Sequence, residues 1–221
     1  QRLAFEREAI GFYLSGHPLD RYSDDVRKLG AIPTIDLAHC AHNADATVAG
    51  IVASLKERTL KSGDGRWAVV ALEDTYGQAE VLCFKKVYDD AEALLKSGEP
   101  LLIKGRALLD DIDDDGNQRA PKMVAQEVQS LAAAQIERTR HVEICLQVPL
   151  LADQRDASTE LLQQLHGVLC RFPGNKPLRL FLHLPPRCAV ELKCEHMQVV
   201  PSEDLLAQLQ CLPAVTSVRR V

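Results

Sequence analysis

Two short stretches hold the residue types best suited to chemistry. "KERTLKSGDGRW" sets Lys56, Arg58, Lys61 and Arg66 beside Trp67, and "FKK" adds Phe84, Lys85 and Lys86. Cations spaced along a turn can follow a phosphodiester backbone, and aromatic rings offer bases a face to stack on. The competing reading makes Trp67 and Phe84 core residues and the lysines and arginines ordinary surface charge. The residues alone leave the two readings balanced.

Other constellations fall short of the chemistry they suggest. His39, Cys40 and His42 lie close together, as do Cys188, Cys194 and His196, but neither set has the paired spacing of a structural zinc site. In strand patterns, Cys188 and Cys194 read instead as small core hydrophobes. "DIDDDG" sets Asp111, Asp113, Asp115 and Gly116 like the start of an EF-hand loop, yet the position for its bidentate glutamate holds Lys122. The loop reads as a solvated hairpin. Ser15 and His17 are near neighbours without the strand-turn-helix elbow a nucleophilic serine needs. The carboxylates show no convergent grouping for divalent metals. No catalytic residue and no metal ligand is therefore expected in this chain.

The 221 residues are 46% apolar and 26% charged, the balance of a globular protein with length for one large or two small domains. A net charge of −5 argues against a surface built to grip duplex DNA, while leaving room for a local basic groove. The seven cysteines are dispersed with no C-x-x-C pair, the pattern of reduced thiols in a cytoplasmic protein. No apolar run approaches membrane-spanning length, so no membrane partner is expected. The chain opens on Gln1 rather than methionine, so it is expected to be a piece of something longer.

The elements that must position these residues follow from periodicity. Leu3, Ala4, Ile10 and Leu14 suggest a helix that Gly16 and Pro18 stop, and a second short helix is predicted over 20–29. An arm with Pro33 follows, and residues 1–44 form a helical segment and connecting arm. From Thr47 the period becomes that of strands: "TVAGIVASLKERT", "RWAVVALED" and "GQAEVLCF". "KKVYDDAEALLKSG" is a helix with Val87, Ala91, Leu94 and Leu95 on one face, and "PLLIKGRALLDD" and "APKMVAQEVQSL" are two further strands. Three strands, a helix and two strands make the order of an OB-fold, a five-stranded barrel, over 45–131. Gly50 and Gly105 fit places where barrel strands bend. After an Ala-rich connector (131–139), strand, helix, two strands, helix and strand give a βαββαβ order, read as a ferredoxin-like α+β domain over 132–221. The fold class is mixed α/β, mainly β.

"EREAIGFYLSGHPLDRY" closely resembles the segment that precedes the OB domain in the alpha subunits of bacterial DNA polymerase III. The resemblance continues through "AGIVASLKERTLKSGDGRWAVVALEDTYGQAEVLCF" and "LLIKGRALLDD", and more faintly to "VVPSEDLLAQL". It implies a region outside the polymerase active site, with an OB domain near single-stranded template and a last domain that binds the tau subunit of the clamp loader. Lys56, Arg58, Lys61 and Arg66 carry over as the basic turn, with Trp67 and Phe84. It also implies a divalent metal for the parent polymerase and none for this fragment, and a bacterial cytoplasmic replisome. "QRLAF" superficially resembles a clamp-binding pentapeptide, but the family's clamp motif lies upstream, so the sliding clamp is not an expected partner here. The error-prone relative of this polymerase is expected to lack a comparable last domain, so the βαββαβ end favours the replicative form.

The expected function is a non-catalytic replisome module that holds single-stranded DNA weakly and docks tau. The alternative is a purely protein-interaction scaffold in which the barrel is a spacer. A free-standing nuclease is a third reading without supporting residues.

Overall fold

The computed structural model describes residues 18–59, 65–108, 120–147, 155–184 and 188–221. The first predicted helix, Ser15 to His17 and the acidic 111–116 loop lie outside these residues. The chain divides into two compact units, 1–134 and 135–221.

In the first unit, period-two alternation builds a barrel. Strands β1 (Asp45–Thr59), β2 (Arg66–Glu73), β3 (Gln78–Cys83), β4 (Leu101–Leu108) and β5 (Lys122–Ser130) close in the order β1-β2-β3-β5-β4. Only β3 and β5 pair in parallel. Alternate residues of β2 (Ala68, Val70, Leu72) and of β3 (Ala79, Val81, Cys83) are buried in the core. Helix α2 (Lys85–Ser97) packs Tyr88, Ala91 and Leu95 into the same core, with Val87 and Leu94 at its edge. It stops at Gly98, whose φ of 74° suits glycine.

The segment before the barrel is packed onto it. After a 3-10 turn (Asp20–Tyr22), helix α1 (Ser23–Lys28) and a second 3-10 turn (Thr34–His39) follow. Leu19, Tyr22, Val26 and Leu29 cover Ala49, Ile51 and Leu102 on the outside of β1 and β4, together with Leu131 and Ala134. The Asp74 carboxylate latches this segment to the β2–β3 turn. It accepts hydrogen bonds from the Thr34 N–H (2.7 Å) and hydroxyl (3.0 Å), and from the N–H groups of Tyr76 and Gly77.

Two irregularities shape the barrel. β1 skips a residue against β2 between Val52 and Ser54, and β5 skips Gln126 against β4 at Lys104/Gly105. At the second, β5 comes so close that a Cβ on Gly105 would lie 2.0 Å from the Val124 carbonyl oxygen. At Gly50 such an atom would meet the Leu72 side chain at 2.5 Å.

Residues 131–138, expected as a connector, form helix α3 (Leu131–Arg138). Alanine is the best helix former, and Leu131 and Ala134 have a buried face to fill. The second unit then contains β6 (Val142–Gln147), α4 (Arg155–Leu169), β7 (Pro173–Leu184), β8 (Cys188–Val199), α5 (Glu203–Gln210) and β9 (Val215–Arg220). The βαββαβ order stands, but the ferredoxin-like arrangement does not. The sheet runs β8-β7-β6-β9, with β6 and β7 directly adjacent and parallel. A ferredoxin-like sheet splits that βαβ unit with the third strand. Here β8 pairs with the outer side of β7 as a long hairpin, from Leu184↔Cys188 to Lys176↔Val199, and so takes the edge. Ser202 caps α5 by accepting from the Leu205 N–H. Cys188, expected in the core, is exposed on that edge strand, and Cys194 is half-buried. No helix among the described residues is long and apolar enough to cross a membrane.

Replacing Gly105 with alanine is expected to destabilise the barrel by about 1–3 kcal/mol, because the added methyl overpacks a buried approach of two strands. Gly167→Ala, in the exposed face of α4 with open space around it, is expected to raise stability by about 0.5–1 kcal/mol. Urea midpoints of the two variants measure both. Equal midpoints would show that β5 moves away from residue 105 without penalty.

Candidate nucleic-acid interface

The skip between Val52 and Ser54 decides which β1 side chains reach solvent. Before it, Ala46, Val48 and Val52 face the core. After it, Leu55 pairs with buried Val70 and Glu57 with buried Ala68, so odd positions turn inward. Lys56 and Arg58 therefore point outward, opposite Val69 and Trp67. An uninterrupted strand would have aimed them at the core.

On that outer face the register assembles a platform. Trp67 and Phe84 lie with ring centroids 6.0 Å apart and planes tilted by 30°. The Arg58 guanidinium carbon is 5.6 Å from the Trp67 ring centroid, within cation–π range. Phe84 is 49% exposed, which rules out the core reading for it. Half-buried Val69 and Leu82, paired across β2 and β3, form the floor beside Lys56. These two floor residues were legible in the strand alternation but do not stand out by residue type.

Lys85 and Lys86 follow Phe84 in the first turn of α2, a turn without acidic residues. The helix dipole disfavours cations there, so their charge gains most from an anion brought to the site. Lys85 lays its aliphatic chain over Gly65, whose added Cβ would meet the Lys85 Cδ at 2.5 Å. Lys61 lies outside the described residues.

Arg66 takes a different place. It sits on the opposite face of β2 from Trp67 and closes a network that ties β1 and β2 to α2. Its guanidinium donates to Glu57 (3.1 Å) and pairs with Glu92 (3.2 Å). Lys96 pairs with Glu57 (2.7 Å) and Glu92 (2.6 Å). The Lys96 hydrogen bond, foremost, holds Glu57 and Glu92 below the ordinary carboxylate range. In return, Glu57 and then Glu92 raise Lys96, and Glu92 and then Glu57 raise Arg66. Arg66 also covers the Tyr88 ring at 5.8 Å. The Tyr88 hydroxyl is buried against this network without a well-formed hydrogen bond, and burial, followed by Glu57, pushes its pKa up. Beneath the platform, burial pushes the Cys83 thiol up to about 11, so it stays protonated as a packing group. No group of three His, Cys, Asp or Glu among the described residues is placed to hold a metal ion.

A family model described as an OB-fold nucleic acid binding domain matches residues 46–131. The DNA polymerase III subunit alpha of Vibrio cholerae is 27% identical over 211 residues, covering 96% of this chain and 17% of that protein. The subunit alpha of Deinococcus radiodurans is 30% identical over 198 residues, covering 86% of this chain and 14% of that protein. The chain thus spans less than a fifth of these curated relatives. Among solved structures, the replication Factor A related protein from Methanobacterium thermoautotrophicum is 17% identical, with a TM-score of 0.34 over 46% of this chain and 92% of that one.

The network on the inner side gives stability an acid limit. Carboxylates whose folded pKa is lowered contribute above their unfolded value, and the contribution is lost as pH falls through the folded one. Glu57→Gln with Glu92→Gln is therefore expected to lower the melting temperature at pH 7. The gap to the wild type should shrink progressively as pH falls below 4.5, the ordinary value for both groups. Thermal melts across that range measure it, and a gap constant with pH would show that the pairs add nothing.

Proposed function

From the premise that this chain is homologous, over nearly its whole length, to part of DNA polymerase III subunit alpha, we propose that it is a non-catalytic replisome module. Its OB-fold domain holds single-stranded template weakly, and its second domain docks the tau subunit of the clamp loader in the bacterial cytoplasm. Nucleotidyl transfer, with its divalent metals, belongs to the rest of the parent polymerase.

One observation carries the DNA reading: the Trp67–Phe84 ring pair on the outer face of the barrel, with Arg58 over it and Lys56 alongside. Rings with partial exposure suit base stacking, and the flanking cations suit phosphates. With only two rings, and with Arg66 engaged by two carboxylates, the interaction is weak and salt-sensitive. The tau reading is supported by the resemblance of the last domain and by the large apolar side chains it exposes, Leu162 (54%) and Leu192 (43%). The net charge of −5 favours a second reading, in which both domains bind only proteins.

Fluorescence-anisotropy titration with a single-stranded oligonucleotide at low and moderate salt separates the readings. Lys56→Ala with Arg58→Ala is expected to weaken binding about tenfold at low salt and to lower the salt slope by about one to two. Trp67→Ala is expected to weaken it about fivefold with the slope little changed. Titrations unaltered by all three substitutions would leave the scaffold reading. For docking, deleting Thr139 to Val221 is expected to abolish capture of purified tau. Retained capture would place the tau contact elsewhere.

A further inference from the structure

Strand pairing divides the side chains of the second sheet between two faces. Val142, Ile144, Leu146, Leu178, Leu180 and Val218 pack with Leu165, Leu169, Leu205 and Leu209 of α4 and α5. The intervening residues point to the other face. There Glu143 stands opposite Arg179 and Arg219, Arg179 opposite Lys193, and Phe181 opposite Cys145 and Glu191. His183, Ala189, Glu191, Lys193 and Arg219 on this face are exposed.

One end of the face is concave and basic. A shallow cleft of about 510 Å³ is lined by Arg140, His141, Pro177, Arg179 and Lys193, with Leu178 and Cys194 and, among the described side chains, no carboxylate. Two neighbouring acids are already engaged: Glu143 pairs with His141 at 3.1 Å and Glu191 with Arg179 at 3.4 Å. Arg140, Lys193 and Arg219 have no ion pair among the described residues. Cations left unpaired around a concave surface attract a polyanion. The ring of Phe181 decides which. It is half-buried and lies two residues along β7 from Arg179, on the same face. A four-stranded sheet with its helices on one side and, on the other, an aromatic one same-face step along the strand from the Arg179–Lys193 pair suits unstacked bases, which use ring and cations together.

We propose that this open sheet face is a second binding surface for single-stranded nucleic acid, separate from the barrel platform. Arg140 and Lys193 hold phosphate in the cleft, Arg219 extends the path, and Phe181 stacks a base. The surface does not depend on the barrel binding DNA, and it leaves Leu162 and Leu192 on other parts of the domain for a protein partner.

The test uses the full chain carrying Arg58→Ala and Trp67→Ala, which reduce the contribution of the barrel. It is titrated with a fluorescent oligothymidylate and, separately, with poly-glutamate. Adding Arg140→Glu and Lys193→Glu is expected to weaken oligonucleotide binding at least about threefold and to lower the salt slope by about one to two. Phe181→Leu is expected to weaken it about fivefold without changing the slope. The charge-conserving pair Arg140→Lys and Lys193→Arg is expected to retain binding, which separates loss of charge from loss of fold. Unchanged affinity in the reversal variant overturns the proposal, as does equal loss in the charge-conserving pair. Loss of poly-glutamate binding with oligonucleotide binding intact also overturns it, and reassigns the face to an acidic peptide.

Discussion

Between Val52 and Ser54 the ladder joining β1 to β2 skips one residue, and the chemistry of the barrel surface depends on that skip. Side chains alternate strictly along a strand, so one inserted residue exchanges the two faces beyond it. Upstream, Ala46 and Val48 fill the core. Downstream, the same parity carries Lys56 and Arg58 into solvent, beside Trp67 and Val69. The extension of β1 beyond the core is thus turned into a charged wall beside the aromatic pair and its aliphatic floor.

The same exchange sends Glu57 inward, where it meets Arg66, Glu92 and Lys96 at the end of the barrel. This network and the buried face of α2 hold the helix against the strands, and with it the position of Phe84 at the helix entry. Each pair is roughly a third to a half exposed and is screened by solvent, so the apolar contacts of Tyr88, Ala91 and Leu95 carry most of the attachment. The charges instead select the geometry: two carboxylates and two cations satisfy one another in this register. The inner side of the β1–β2 ribbon therefore holds structure while the outer side is left for a ligand.

The second domain reaches a similar division by other means. Its helices cover one face of a mixed sheet, and the other face keeps a row of charges with a single ring. The β7–β8 hairpin sets Arg179 opposite Lys193. In a split arrangement β8 would have separated β6 from β7, and the Glu143–Arg179 pairing would not exist.

By itself the sequence determined the elements, because each follows from local periodicity and local stops. The alternation of "RWAVVALED", the helical spacing of Val87, Ala91, Leu94 and Leu95 and the stop at Gly98 all act within a few residues, although it is Tyr88, with Ala91 and Leu95, that the barrel buries most fully. The order of strands and helix was enough for the barrel, since closure pairs most strands with near neighbours. The Ala-rich stretch at 131–138 reads as a connector because helix propensity alone does not show whether a buried face awaits it; Leu131 and Ala134 supply one. Only the tertiary structure decided the facing of Lys56 against Arg66, which are cations of one basic stretch yet lie on opposite sides of the ribbon. That outcome rests on a register skip, a property of two paired strands that neither strand encodes alone. The edge position of β8 is of the same kind: strand order in a sheet is set by which pairings bury the most side-chain surface, and these are contacts between residues far apart in the chain. The opening "GHPLDRY" shows the same divide. Its composition reads locally as a stop, while the use of Leu19 to cover the outer side of β1 follows only from the closed barrel.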